Sequence, residues 1–218
     1  MITAVELHTD FMSELDKNHT KDAPAISDKM RDYIINDSIR SLVKMYYKMG
    51  VESTEKARQA LQVLIKSSEV IHYAHKPKPD NAYWYEQPTD LWEIIRIDME
   101  ANDLVCLSVV EPYLKAYEND DMLYHKKNPF KRPDRMNVLY TVEEDTIKFA
   151  TDITIVPIKI HLKYLRRFTD ISLSGGINSE LPEQYKEEIV RIASNKAIEL
   201  IQSGRLQTYM QVNGITMA

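Results

Sequence analysis

The sequence predicts an α+β protein with N-terminal helices, an antiparallel sheet carrying a hairpin arm, and a C-terminal helix followed by an extended tail. Three observations carry that class. Apolar residues recur at helical spacing up to about residue 62, β-branched residues and strict alternation take over in the middle, and a well-punctuated helical pattern returns after Leu181-Pro182. No βαβ rhythm and no internal repeat is present. The expected organisation is one α+β domain over 1–204, with a helical part (1–65 and 180–204) and a β-rich part (66–175). Residues 205–218 form a docking tail.

In the first helix Leu7, Phe11 and Leu15 recur every four residues behind a Thr3 cap. The stretch 20-TKDAPAI-26 breaks it, and the Ser27 hydroxyl is placed to cap a second helix. Along that helix Ile35, Ile39, Leu42, Tyr46 and Met49 line one apolar stripe, which Gly50 ends. Glu52 and Glu55 suit the positive end of a third helix that buries Ala57, Ala60, Leu61 and Leu64.

The period then changes. QVLIKSSEVIHY is rich in β-branched residues, and 76-KPKPDNAYWYEQP-88 reads as a proline-studded loop. The runs 93-EIIRIDME-100 and 104-LVCLSVV-110 predict a hairpin across 101-AND-103, with Cys106 as a small buried thiol. A short helix is expected over 112-PYLKAYENDDMLYH-125, then a loop, 126-KKNPFKRPDR-135. Strands 137-NVLYTV-142 and 146-TIKFA-150 flank an acidic turn. The clearest strand is 153-ITIVPIKIHLKYL-165, with Val156, Ile158, Ile160, Leu162 and Tyr164 on one face and Pro157, Lys159, His161 and Lys163 on the other. Pro157 cannot donate to a ladder, so an edge is expected there. In the last helix Pro182 is expected at the first helical position, with Gln184 reaching back as a capping residue. Tyr185, Ile189, Ile192, Lys196 and Leu200 would share a side, and Gly204 would end it.

Chemistry is sparsely signalled. The net charge of −5 and the lack of a basic block disfavour a protein built to grip phosphates. A single cysteine excludes an intrachain disulfide, and the opening MITAVELHTDFMSELDKNH has neither a basic n-region nor an apolar h-region, so cytoplasmic synthesis is expected, with no membrane partner. His8, His19, His72, His75, His125 and His161 complete no metal set, and Gly175-Gly176 lacks both Walker and GxGxxG spacing. No catalytic residue, cofactor or metal is assigned.

Contact surfaces are better signalled. Asn128, Pro129, Phe130, Lys131 and Arg132 make a stiff basic loop whose phenylalanine is either an exposed anchor or tucked into the core. Pro157 marks a strand edge available to another chain. The tail 205-RLQTYMQVNGITMA-218 offers Arg205, Tyr209, Met210, Val212 and Ile215, and either stays disordered or orders on a partner. Alternatives of other classes are a small hydrolase or nuclease using Cys106 with dispersed His and Asp residues, and a scaffold module binding through its aromatic loops.

The motifs 128-NPFKRP-133, 162-LKYLRRFTDISL-173 and 180-ELPEQYKEEIVRIASNKAIEL-200 occur in an order that resembles virion structural proteins of crAss-like tailed phages of gut Bacteroidales. The stretch 31-RDYIINDSIRSLVKMYYKMGVESTEKARQAL-61 extends the resemblance over most of the chain, with one departure at Phe168-Thr169, where the pattern has a proline. The resemblance implies a head-to-tail connector: a neck or tail ring of about twelve copies around the genome's exit channel. It also implies an adaptor-like fold docking on the portal and other neck or tail rings through its C-terminal segment. An acidic wall would let DNA pass without holding it, in a virion assembled in the bacterial host's cytoplasm.

Overall fold

In the computed structural model, residues 2–18, 26–50, 55–71, 82–118, 121, 124–125, 128 and 130–202 are described. The chain divides into two compact units: residues 1–64 with 168–218, and Ile65–Arg167. The architecture is mixed α+β, with helices first, sheets in the middle and a helix last.

The first unit holds α1 (Ala4–Asn18), α2 (Asp28–Lys48), α3 (Glu55–Leu61) and α4 (Lys186–Gln202), the last entered through a 3-10 turn at Glu183–Tyr185. α1 starts in a reciprocal capping box. The Glu6 N–H donates to Thr3 Oγ1 at 3.2 Å, and Glu6 Oε2 accepts the Thr3 N–H at 3.0 Å. Leu7, Phe11 and Leu15 are buried, as are Ile35, Ile39, Leu42 and Tyr46 on α2 and Ala57, Ala60, Leu61 and Leu64 around α3. Met49 leaves the predicted stripe: it is the C-cap of α2 and half exposed, because Gly50 at φ 88° turns the chain there.

Two caps differ from expectation. Ser27 holds the N-cap position of α2 in extended conformation, but its hydroxyl is buried without a partner and makes no cap bond. Its carbonyl accepts the Arg31 N–H at 3.0 Å instead. Pro182 is the cap of the 3-10 turn, one residue before the predicted position, and no bond from Gln184 is involved. The buried side of α4 runs through Tyr185, Ile189, Ala193 and Ala197, so Ile192 and Leu200 flank the core. Lys196 instead reaches α2, donating to Asp37 Oδ2 at 2.5 Å and Ser41 Oγ at 2.7 Å.

The extended segment after Phe168 is held by side chains that imitate a backbone. Asn36, buried on α2, donates to the Ile171 carbonyl at 2.9 Å and accepts the Ile171 N–H at 2.8 Å. Asp32 accepts the Leu173 N–H at 3.1 Å, and Asn178 accepts the Ala4 N–H at 3.0 Å. Buried peptide groups cost free energy unless paired, and here three polar side chains supply the partners.

The second unit is a sandwich of two four-stranded sheets. One has the order β1 (Ile65–Ile71), β8 (Ile155–Arg166), β3 (Leu91–Asp103), β4 (Ser108–Val110), all antiparallel. The other has the order β2 (Ala82–Glu86), β7 (Thr146–Ala150), β6 (Asn137–Glu143), β5 (Tyr113–Ala116). Its last pair, β5 with β6, is parallel. One core joins the two inner faces: Tyr83, Tyr85, Ile147 and Phe149 meet Ile97, Met99, Ile160, Leu162 and Tyr164.

Three strand assignments change. Ala82–Glu86 is a strand, not part of a loop, because Tyr83 and Tyr85 point into the core while Trp84 lies outside under Lys148 Nζ, 4.3 Å from its ring centroid. Tyr113–Ala116 is a strand rather than a helix, its backbone captured by β6. In β8 the alternation holds for Ile160, Leu162 and Tyr164, but a bulge at Ile158, between Lys159 opposite Glu100 and Pro157 opposite Ala101, reverses the phase. Ile155 and Pro157 are therefore buried, and Val156 and Ile158 only half-buried.

Candidate interaction surfaces

The hairpin between β3 and β4 turns later than its sequence suggests. Asn102 and Asp103 pair with Val109 and Ser108, so the turn is 104–107, and the apolar run LVCL forms the tip. Asp103 begins that turn. Its carboxylate is buried, and Oδ1 accepts the N–H groups of Val105 at 2.8 Å and Cys106 at 3.2 Å. Leu107 sits at φ 52°, a left-handed conformation that costs a side-chain-bearing residue about 1–2 kcal/mol. The price falls on a residue that is 87% exposed. Cys106, expected in the core, is exposed.

A second loop is pinned to this tip. Arg135 Nε donates to Asp103 Oδ2 at 2.9 Å, and its terminal nitrogen reaches both Asp103 and the Cys106 Sγ. The Arg135 guanidinium holds the Asp103 carboxyl below the usual carboxylate range, helped by the two turn N–H groups. Arg135 closes the basic loop whose head is built on Asn128. Asn128 Oδ1 accepts the Phe130 N–H at 3.0 Å, and its carbonyl accepts those of Lys131 and Arg132. Phe130 is thereby displayed at 95% exposure, with Lys131 and Arg132 exposed beside it. Of the two placements of Phe130, the exposed one is observed, and the ring is not tucked into the core. Pro129 lies outside the described residues.

The strand ends place a third loop here. β8 begins opposite Asp103, and the Leu104 N–H donates to the Thr154 carbonyl at 2.9 Å. That puts Ile153, also largely exposed, next to the tip. The loops 104–107 and 151–154 thus meet at one end of the sandwich, and Arg135 ties the end of the basic loop to them. Ile65 and Leu165, ladder partners, lie at the other end, where the chain enters and leaves the unit. Pro157 sits close to the loop end, buried, paired with Ala101 on β3. β8 is an inner strand from Lys159 onward, and on its β1 side the ladder stops at Lys159. The residues that follow β1 in the chain, 72–81, lie outside the described residues, and with them the edge expected at Pro157. Arg205, Tyr209, Met210, Val212 and Ile215 lie outside the described residues.

The helical unit carries a groove of about 710 Å³ along α1, lined by Val5, Thr9, Met12, Asp16 and Leu173 among others. His8 at its base is buried, with Nε2 2.7 Å from Asp32 Oδ1. Elsewhere His161 meets Glu100 at 2.9 Å, and His125 packs against Tyr117 with ring centroids 4.3 Å apart. Among the described residues no group of three His, Cys, Asp or Glu side chains converges on one point, and no helix is long and apolar enough to cross a membrane.

Apolar side chains held in water at the end of a packed sandwich are the mark of a contact surface. The sequence places the protein more closely. Residues 27–200, from the cap of α2 almost to the end of α4, match the crAss phage tail ring protein 3/4 family, and the chain belongs to that family. It is a structural phage tail ring protein, one that assembles with copies of itself. No curated protein matches the chain. The tip at 104–107 and the Arg135 clamp were missed in the sequence because LVCL has strand composition. The available signal was Asp103, a residue type that opens turns more readily than it closes them.

Proposed function

We propose that this chain forms a ring of about twelve copies at the neck of the virion, connecting the portal to the tail and lining the passage through which the genome leaves. The observation that carries this reading is the match of residues 27–200 to the tail ring family. The net charge of −5 supports it, since a wall of that sign repels passing DNA and does not retain it. In this reading residues 205–218 leave the subunit, and Arg205, Tyr209, Met210, Val212 and Ile215 contact a neighbouring copy or an adjacent ring. The stretch of β8 at Pro157 packs on another chain.

Electron microscopy of the purified full chain, alone and with portal rings, tests the reading. Closed rings that stack coaxially on the portal are the expected result, and a chain that stays monomeric and ignores the portal contradicts it. A chain ending at Gly204 should form rings that no longer dock, or no rings. Unchanged docking would remove the tail from the account.

A further inference from the structure

We infer that the loop end of the sandwich is a self-assembly surface, covered in the ring by a different face of the next copy of this chain. The inference rests on the ring reading, and not on where in the virion that ring sits. What it adds is the surface. The exposed apolar side chains of Leu104, Val105, Leu107, Tyr113, Met136 and Ile153 make it up.

Hydrogen bonds hold the segments that carry these residues together. The Leu104 N–H donates to the Thr154 carbonyl at 2.9 Å, which sets Ile153 beside the 104–107 turn. Arg135 joins that turn to the second sheet: its Nε donates to Asp103 Oδ2 at 2.9 Å, and a terminal nitrogen reaches Cys106 Sγ at 2.6 Å. Met136 follows Arg135 in the chain, and its carbonyl accepts the Tyr113 N–H at 2.7 Å. Register agrees, since Tyr113 stands opposite Asn137, and Leu139 opposite Ala150, the residue that leads into 151–154. The chain enters and leaves the sandwich at the opposite end, where Ile65 pairs with Leu165.

The composition of this end suits a lasting contact. Its carboxylates are turned back on their own loops. Asp103 holds Arg135 and the Val105 and Cys106 N–H groups, Asp134 holds those of Met136 and Asn137, and Asp152 that of Thr154. The loops are thereby fixed before binding, which removes an ordering cost from association. Leu107 is 87% exposed, Ile153 74% and Tyr113 71%. Apolar side chains gathered on a surface mark a contact site, and interface cores are depleted of charge. Permanent assemblies cover more apolar surface than transient ones, and copies of the chain are the permanent partner its family defines. Two such ends meeting each other would close as a dimer, so in a ring each meets another face of its neighbour.

Leu107→Asp with Ile153→Asp puts charge on this surface at two exposed loop positions, and circular dichroism checks that the chain still folds. By analytical ultracentrifugation the wild-type chain should form rings and the double variant should stay monomeric. Variant rings overturn the inference and leave the ring reading standing, even if those rings no longer dock on the portal, because the end would then belong to another partner. Wild-type chain that forms no ring overturns both. Oxidative footprinting of wild-type rings needs no variant. Modification of Tyr113 and Met136 should fall together on assembly, and unchanged modification of either overturns the inference.

Discussion

The helical unit and the sandwich solve opposite problems with the same kinds of residue. In the helical unit, polar side chains are turned inward: Asn36 and Asp32 close hydrogen bonds of the extended segment after Phe168, and Asn178 on that segment accepts the Ala4 N–H. In the sandwich the backbone satisfies itself through two sheets, and at one end apolar side chains are turned outward. Polar groups inside fix a unique conformation at some risk, since each lost partner leaves a buried peptide group unpaired. Apolar groups outside cost solubility and return it only when another surface covers them. The first unit spends its exceptions on its own fold, while those of the second face water.

Core truncation should separate the units most strongly. Phe149 is fully buried, with Tyr85 and Tyr140 rings centred 5.4 Å and 6.0 Å away. Phe149→Ala is expected to cost about 3–5 kcal/mol. Both tryptophans, Trp84 and Trp92, lie in the sandwich, so their fluorescence during urea unfolding reads that loss directly. Next in size is Asn36→Ala, which strands the Ile171 N–H and carbonyl in a buried place and should cost about 2–3 kcal/mol. A cost below about 0.5 kcal/mol would mean that water replaces the amide, and the contrast between inward and outward exceptions would weaken.

Leu107→Gly should move the other way. Removing the side chain relieves the left-handed strain, for a gain of about 1 kcal/mol in the isolated subunit, while ring formation weakens. Phe130→Ser should change stability by less than about 0.5 kcal/mol and still impair assembly. If either variant lost stability and assembly together, the loop end would be a structural element and not a contact surface.

Titration gives the finest distinction. Burial first, then the hydrogen bond to Asp90, pushes the Tyr164 phenol up to about 12. The folded chain therefore holds this proton more tightly than the unfolded one. The stability it contributes is intact below the ordinary value of about 10 and is lost as pH rises towards about 12. Asp103 runs oppositely: its carboxyl is depressed, so its contribution is present above about pH 4 and disappears as acid protonates it. The protection of the Val105 and Cys106 N–H groups against hydrogen exchange should fall as acid protonates Asp103, ahead of protection in the β3 and β8 ladder.

How far the sequence announces all this depends on the range of the interaction involved. Helices α1 and α2 were legible because Leu7, Phe11, Leu15 and Ile35, Ile39, Leu42, Tyr46 are local patterns confirmed by burial. The strand at Tyr113–Ala116 was not, since it exists only because β6, more than twenty residues on in the chain, captures it. Pro157 is a further case: alternation assigns it to the wet face, but a bulge at Ile158, where two steps of β8 oppose one of β3, turns it into the core. At the loop end, Asn128 and its neighbours point to Phe130 from sequence alone. The partnership of Asp103 with Arg135, which joins two loops, becomes visible only in three dimensions.

The most direct measurement uses the chain's single cysteine, which lies on the tip itself. Maleimide labelling of Cys106 should be fast in the free subunit and at least ten-fold slower in assembled rings, where the loop end is covered by the next copy. Equal labelling rates in free and assembled protein would place the tip in open solvent and contradict the account.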